Sequence, residues 1–262
     1  MSKEILLNDL NPQQKEAVLH EGSPLLVLAG AGSGKTRVIT HKFAYYAKSN
    51  KVSPHSIFAV TFTNKASDEM KRRIAMLIGK DMDGSWIGTF HSQCNRILRK
   101  EIKAIGYNNN FLIYDADDHC NLIRHILKEF RIYEAMYKGV ASRISSLKSS
   151  LVTPSRFLSK TDGFGFDEKL AKVYVRYQDE LKRSNALDFD DLIMLTVKLF
   201  EENPALLEKY RTIFNYVLVD EFQDTNYAQY RLLKLLAARD NICVVGDDDQ
   251  SIYKFRGADV RN

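Results

Sequence analysis

Two rhythms of apolar and polar positions alternate along this chain. Short, nearly continuous apolar runs occur at 24–30 (PLLVLAG), 56–62 (SIFAVTF), 85–90 (SWIGTF), 215–221 (NYVLVDE) and 241–247 (NICVVGD). Runs of this length, bounded by glycine or acids, read as buried strands of a parallel sheet. Between them the period lengthens to that of a helix. In 64–78 (NKASDEMKRRIAMLI), Ala66, Met70, Ile74 and Leu77 share one face, with Asn64 placed to cap the N-terminus. Strand, helix and strand at this spacing make a βαβ unit, so the expected fold class is α/β, a parallel sheet flanked by helices.

From about residue 93 to 209 the strand rhythm stops. The text turns helical at 117–130, 168–184 and 189–202, and Thr153–Pro154 and Asn203–Pro204 mark helix starts by a cap followed by proline. The simplest organisation is one α/β domain, residues 1–92 and 210–262, interrupted by an all-helical insertion, residues 93–209. No internal repeat or low-complexity tract is visible.

Composition narrows this picture modestly. The 262 residues are 45% hydrophobic and 27% charged, with net charge +5. That is a chain able to bury a core and mildly suited to an anionic partner. Three widely spaced cysteines, Cys94, Cys120 and Cys243, read as reduced thiols of a cytoplasmic protein. His119 and Cys120 are adjacent, which is poor zinc-ligand spacing. No apolar run approaches the roughly 20 residues of a membrane span. Within the insertion, residues 131–160 carry Arg131, Lys138, Arg143, Lys148, Arg156 and Lys160 against one acid, Glu134. The alternatives there are a solvated helical surface and a contact with an anionic partner.

The chemistry begins at AGAGSGKT, Ala29 to Thr36, between a strand run and a helical stretch. Ala29, Gly30, Ala31, Gly32, Ser33 and Gly34 form a loop whose backbone N–H groups can turn toward phosphate oxygens. Lys35 would neutralise those oxygens and the Thr36 hydroxyl would ligand Mg²⁺. Ala29 departs from the usual first glycine, which is tolerable where the turn needs no positive φ. The complementary half is YVLVDE, a strand ending in Asp220 and Glu221. At the carboxyl end of a sheet strand these acids can face the same ligand. Asp220 would hold Mg²⁺, and Glu221 would orient or deprotonate an attacking water.

Seven segments then appear in order: LNPQQKEAV, AGAGSGKT, TFTNKASDEM, GTFHS, LDFDDL, VDEFQDTN and VGDDDQSIYKFRGAD. Together they resemble the superfamily 1 DNA helicases of the UvrD/PcrA/Rep type over nearly the whole chain. The resemblance implies a RecA-like P-loop domain carrying an inserted helical subdomain. It also implies ATP-driven 3′ to 5′ translocation on single-stranded DNA with duplex separation, using ATP and Mg²⁺. By motif, Gln14 would read the adenine edge, Arg37 would contact the nucleotide and Gln250 would sense the γ-phosphate. Phe62, Asn64, His91, Tyr253, Phe255 and Arg256 would line the DNA path. Aromatic stacking suits a motor, because it grips every base and prefers none. Phe255 stands where relatives often carry tryptophan, so its stack has less area.

The resemblance further implies that a second RecA-like domain is missing, so that the chain reads as an N-terminal portion, nearly inert as a motor alone. Two other classes stand beside this reading. One is a P-loop DNA-binding module that has lost catalysis, although Lys35, Thr36, Asp220, Glu221 and Gln250 are all intact. The other is a small-molecule kinase, which leaves TFTNKAS and SIYKFRGA without a purpose. The expected partners are single-stranded DNA and its junctions with duplex.

Overall fold

The computed structural model describes residues 3–30, 32–49, 52–237 and 240–247. The chain divides into two compact units. The first comprises residues 1–93, 203–225 and 230–262, the second residues 94–202 and 226–229.

The first unit opens with α1 (Lys3–Asn8) and α2 (Pro12–Leu19), then β1 (Leu25–Leu28) and α3 (Lys35–Lys48). It continues through β2 (Ile57–Thr61), α4 (Asn64–Ile78), β3 (Trp86–Thr89) and the start of α5 (Phe90–Glu101). The second unit holds the rest of α5, then β4 (Leu112–Ile113), α6 (Ala116–Glu129), α7 (Tyr137–Ser149) and α8 (Pro154–Leu158). After these come α9 (Gly165–Arg183), β5 (Ala186–Leu187) and α10 (Phe189–Glu202). The chain re-enters the first unit through α11 (Pro204–Ile213) and β6 (Tyr216–Val219), and ends its described course in α12 (Tyr227–Leu236) and β7 (Ile242–Gly246).

Among the described residues the five strands of the first unit are all parallel, in the order β1-β7-β6-β2-β3. This is the α/β class expected from the apolar rhythm. One face packs on α3 and α4 through Ile39, Phe43, Met70 and Ile74 against Ala59, Leu218 and Val245, all fully buried. The other face carries an aromatic cluster, in which Phe214 meets Phe58 at 4.9 Å and Trp86 at 5.0 Å. Tyr210 of α11 also packs on Trp86, edge to face. That contact explains why the chain rejoins this unit at Asn203 rather than at 210.

Two local expectations need correction. The cap of α4 is Thr63, whose hydroxyl accepts from the Ala66 N–H, and Asn64 is the first helical residue. Run 24–30 is only half buried: Leu26 and Leu28 are exposed while Leu25 and Val27 pack inward. The reason is position, since among the described residues β1 is an edge strand paired with β7 alone.

The second unit is helical apart from one two-residue parallel ladder, Leu112–Ile113 against Ala186–Leu187. Two residues are too few to leave a periodic signal in the sequence. Its core joins α6, α7 and α9 through Ile123, Ile126, Ile144, Tyr174 and Tyr177.

Lys148 overturns part of the reading of the basic stretch. It is fully buried, 2.6 Å from Asp188 and 2.8 Å from Asp191. Tyr177 donates to Asp188 at 2.8 Å and the His119 ring lies 2.6 Å from the same hydroxyl. Burial alone would raise Asp188, yet Lys148 and His119 hold it well below the usual carboxylate range. Burial and the charge of Asp188 push Asp191 up to about 6. Lys148 therefore neutralises acids inside the fold. Arg131, Lys138, Arg143, Arg156 and Lys160 are exposed. No helix among the described residues is long and apolar enough to cross a membrane.

Candidate functional site

Three neighbouring parallel strands, β1, β7 and β6, end at the same sheet edge, and their following residues converge there. After β1 the chain turns through the glycine loop into α3. The Ser33 N–H and hydroxyl both return to the Gly30 carbonyl, at 3.2 and 2.6 Å. Positive φ falls on Gly32 and Gly34, at 73° and 89°, and not on Ala29, so alanine is accommodated at that position. The φ of 89° at Gly34 favours glycine, and a Cβ there would also displace the end of the Gln14 side chain, 2.7 Å away at Nε2. Gly34 caps α3, whose N-terminal N–H groups and dipole favour an anion.

Lys35 and Thr36 open α3 and point at the acids of the neighbouring strands. Lys35 Nζ lies 3.0 Å from Asp247 Oδ2, with the two side chains 8% and 4% exposed. The Thr36 hydroxyl donates to Asp220 Oδ2 at 2.8 Å. Burial pushes Asp220 up to about 6, assisted by the nearby Glu221 charge and opposed by the Thr36 bond. Asp247, at the end of β7, is thus the counterion of Lys35.

Glu221 follows Asp220 in the left-handed region, φ 56° and ψ 42°. For a residue with a Cβ this conformation costs of order 1–3 kcal/mol and persists only where its surroundings hold it. Gln223 supplies such a hold. Its Nε2 donates to Glu221 Oε2 at 2.7 Å, and its Oε1 accepts from the Asp247 N–H at 3.0 Å. Sequence reasoning missed Gln223, although it lies within the quoted VDEFQDTN.

The remaining residues of the nucleotide set sit around the loop. Gln14 closes a reciprocal cap with Asn11 and donates Nε2 to the Ser33 carbonyl at 3.0 Å. Its amide thus braces the loop, and reading an adenine edge requires that it release Ser33. Arg37 is half exposed, 3.9 Å from Asp9.

The expected strand-gripping residues follow the next two strands, β2 and β3, in register at Thr61 and Thr89. The Phe62 ring packs edge-on against Phe90, with centroids 5.7 Å apart, and remains half-buried. Asn64 is exposed at the start of α4, and His91 is half-buried in the first turn of α5. Ala31, Gln250, Tyr253, Phe255 and Arg256 lie outside the described residues.

A cation at this edge would rest on Thr36 and Asp220. Their two hard oxygens fit Mg²⁺, which takes one or two protein carboxylates, substrate phosphates and retained waters. Among the described residues no group of three or more His, Cys, Asp or Glu side chains is placed to hold a metal without that help.

Residues 10–262 match the UvrD/REP helicase N-terminal domain. The chain is 51% identical over 260 residues to the ATP-dependent DNA helicase PcrA of Bacillus subtilis (strain 168), covering 98% of this chain and 35% of that protein. It is 48% identical over 260 residues to the ATP-dependent DNA helicase PcrA of Staphylococcus aureus (strain Mu50 / ATCC 700699), covering 98% and 36%. The chain therefore spans about a third of the length of these curated relatives. With the phosphate loop, the strand-end acids and a match over residues 10–262, the chain belongs to the UvrD/REP helicase N-terminal domain family.

Proposed function

We propose that this chain is the nucleotide-binding and strand-gripping portion of an ATP-dependent DNA helicase, one that moves 3′ to 5′ on single-stranded DNA in repair or replication. The observation that carries the proposal is the meeting of Lys35 and Thr36 with Asp220, Glu221 and Asp247 at one sheet edge. The two PcrA relatives are named as ATP-dependent DNA helicases, which supports the same activity for the whole protein to which this chain corresponds.

Phosphate binding falls to the loop N–H groups, the α3 N-terminus and Lys35, which exchanges Asp247 for phosphate oxygens. Magnesium, when bound, would supply positive charge that offsets the charge developing on the phosphates. Thr36 and Asp220 would hold it. Glu221 takes the proton of the attacking water or fixes that water in line, and Gln250 senses the γ-phosphate. Phe62, Asn64, His91, Tyr253, Phe255 and Arg256 grip the single strand, with stacking worth about 1–3 kcal/mol per base. The exposed cations Arg131, Lys138, Arg143, Arg156 and Lys160 meet the phosphates of the duplex ahead.

Calorimetric titration with Mg·ATPγS tests the nucleotide assignment. The wild-type chain should bind with one saturable site, and Lys35→Ala should lose that binding while remaining folded by circular dichroism, although loss of the buried pair with Asp247 lowers its melting temperature. Equal affinity in both proteins would refute the role given to Lys35.

A further inference from the structure

We propose that Gln223 is a positioning residue that ties the orientation of Glu221 to the end of β7, so that hydrolysis responds to where that strand end sits. The proposal deepens the reading of this site as an ATPase and rests on it.

Three observations converge on Gln223. First, its side chain bonds both Glu221 and the backbone at Asp247, at 2.7 and 3.0 Å. A primary amide of this length offers a donor at one atom and an acceptor at the other. The reverse orientation would set oxygen against a carboxylate oxygen and NH₂ against an N–H, so the hydrogen-bond pattern fixes the amide. Second, Glu221 stands in a left-handed conformation that its own side chain disfavours. Third, the backbone opposite is built to admit the amide. A Cβ on Gly246 would lie 3.0 Å from Gln223 Oε1 and 3.4 Å from Gln223 N, so glycine at 246 allows the approach.

The connection extends further. Asp247 receives Lys35 on its carboxylate while its N–H binds Gln223. A continuous path therefore runs from the phosphate-loop lysine, through Asp247 and Gln223, to the carboxylate that handles the attacking water. When Lys35 turns to phosphate, Asp247 loses its counterion, and any shift of its backbone is delivered to Glu221 by one rigid amide. The segment that follows Asp247 carries the γ-phosphate and DNA contacts proposed above. Gln223 thus lies where nucleotide state and strand grip can both reach the hydrolytic carboxylate.

The test uses the full-length protein and measures DNA-stimulated ATP turnover beside Mg·ATPγS affinity. Gln223→Met keeps the volume and removes both bonds. Gln223→Glu keeps an acceptor for the Asp247 N–H but replaces the donor with a charge facing Glu221. Gly246→Ala crowds the amide from the other side without touching Glu221. Each should lower kcat by about 10²-fold, the scale of a misplaced reacting group, with nucleotide affinity within about twofold of wild type. A kcat within about twofold of wild type for Gln223→Met would overturn the proposal. So would a fall in affinity that matches the fall in kcat, since that indicates general damage to the site. If the wild-type protein itself shows no ATP turnover, the ATPase reading fails, and this inference falls with it; normal wild-type turnover with an active Gln223→Met defeats this inference alone.

Discussion

Burial holds the Asp220 carboxyl up at about 6, so at pH 8 the folded protein carries a charge that it has partly desolvated. A carboxyl raised in the folded state contributes stability that is present below the usual carboxylate range and is lost as pH rises through 6. Asp220→Asn removes the ionisation; its oxygen can accept from the Glu221 N–H while its NH₂ donates to the Thr36 hydroxyl, reversing that bond. In the nucleotide-free protein this variant should gain on wild type progressively between about pH 4 and 7, melting about 5 °C higher at pH 8. An advantage that is the same at pH 4 and pH 8, or a reversed one, would contradict the origin assigned to the shift. At this scale the sequence disclosed which residues carry chemistry but not how they pair. The GKT and DE motifs announced Lys35, Thr36, Asp220 and Glu221. That Asp247 neutralises Lys35 depends on β7 lying between β1 and β6, a non-local fact with no local signature. Gln223 was concealed for the same reason, because its two partners come from different strands.

Among the elements, α7 shows how charge counting along a sequence misleads. Its Lys148 reads as one of six cations in a basic stretch, yet it closes a buried cluster with Asp188 and Asp191 at the start of α10. Removing one partner from such a cluster leaves uncompensated buried charge, at a cost of about 3–5 kcal/mol. Lys148→Met should therefore lower the stability of the second unit by that amount in urea unfolding followed by hydrogen exchange. Arg143→Glu, on the exposed side of the same helix, should change it by about 0.5 kcal/mol or less. Comparable losses in both would remove the distinction between the buried and the solvated cation. The strands were legible because parallel strands are apolar on both faces. β1 departs from that rule, and its exposed Leu26 and Leu28 reflect an edge position that an apolar run cannot reveal. The ladder of β4 and β5 was invisible for want of length. The interruption of the sheet domain was visible as a change of period. Its return point was not, because Tyr210 and Phe214 reach back to Trp86 through aromatic contacts between residues distant in sequence.

For the molecule as a whole, net charge +5 supplies a mild attraction for polyanions, and under the proposed function the strand-end aromatics would supply a grip indifferent to sequence. Anisotropy of labelled single-stranded DNA should show binding that weakens as salt rises, because phosphate contacts release counterions. Phe62→Ala should cost about 1–3 kcal/mol of that binding at any base composition. Salt-independent binding, or none in the full-length protein, would favour a small-molecule kinase. Reversing Lys138 and Arg143 to Glu should weaken binding to a tailed duplex more than to a single strand, and equal losses on both would argue against duplex contact by the insertion. The central claim, that ATP chemistry at the sheet edge is coupled to DNA, is tested most directly by ATP turnover in the full-length protein with and without single-stranded DNA. The account predicts turnover that single-stranded DNA stimulates in the wild type and that Lys35→Ala lowers by about 10²- to 10³-fold, the scale of losing one preorganised charge contact. Turnover indifferent to DNA, or retained by Lys35→Ala, would contradict it.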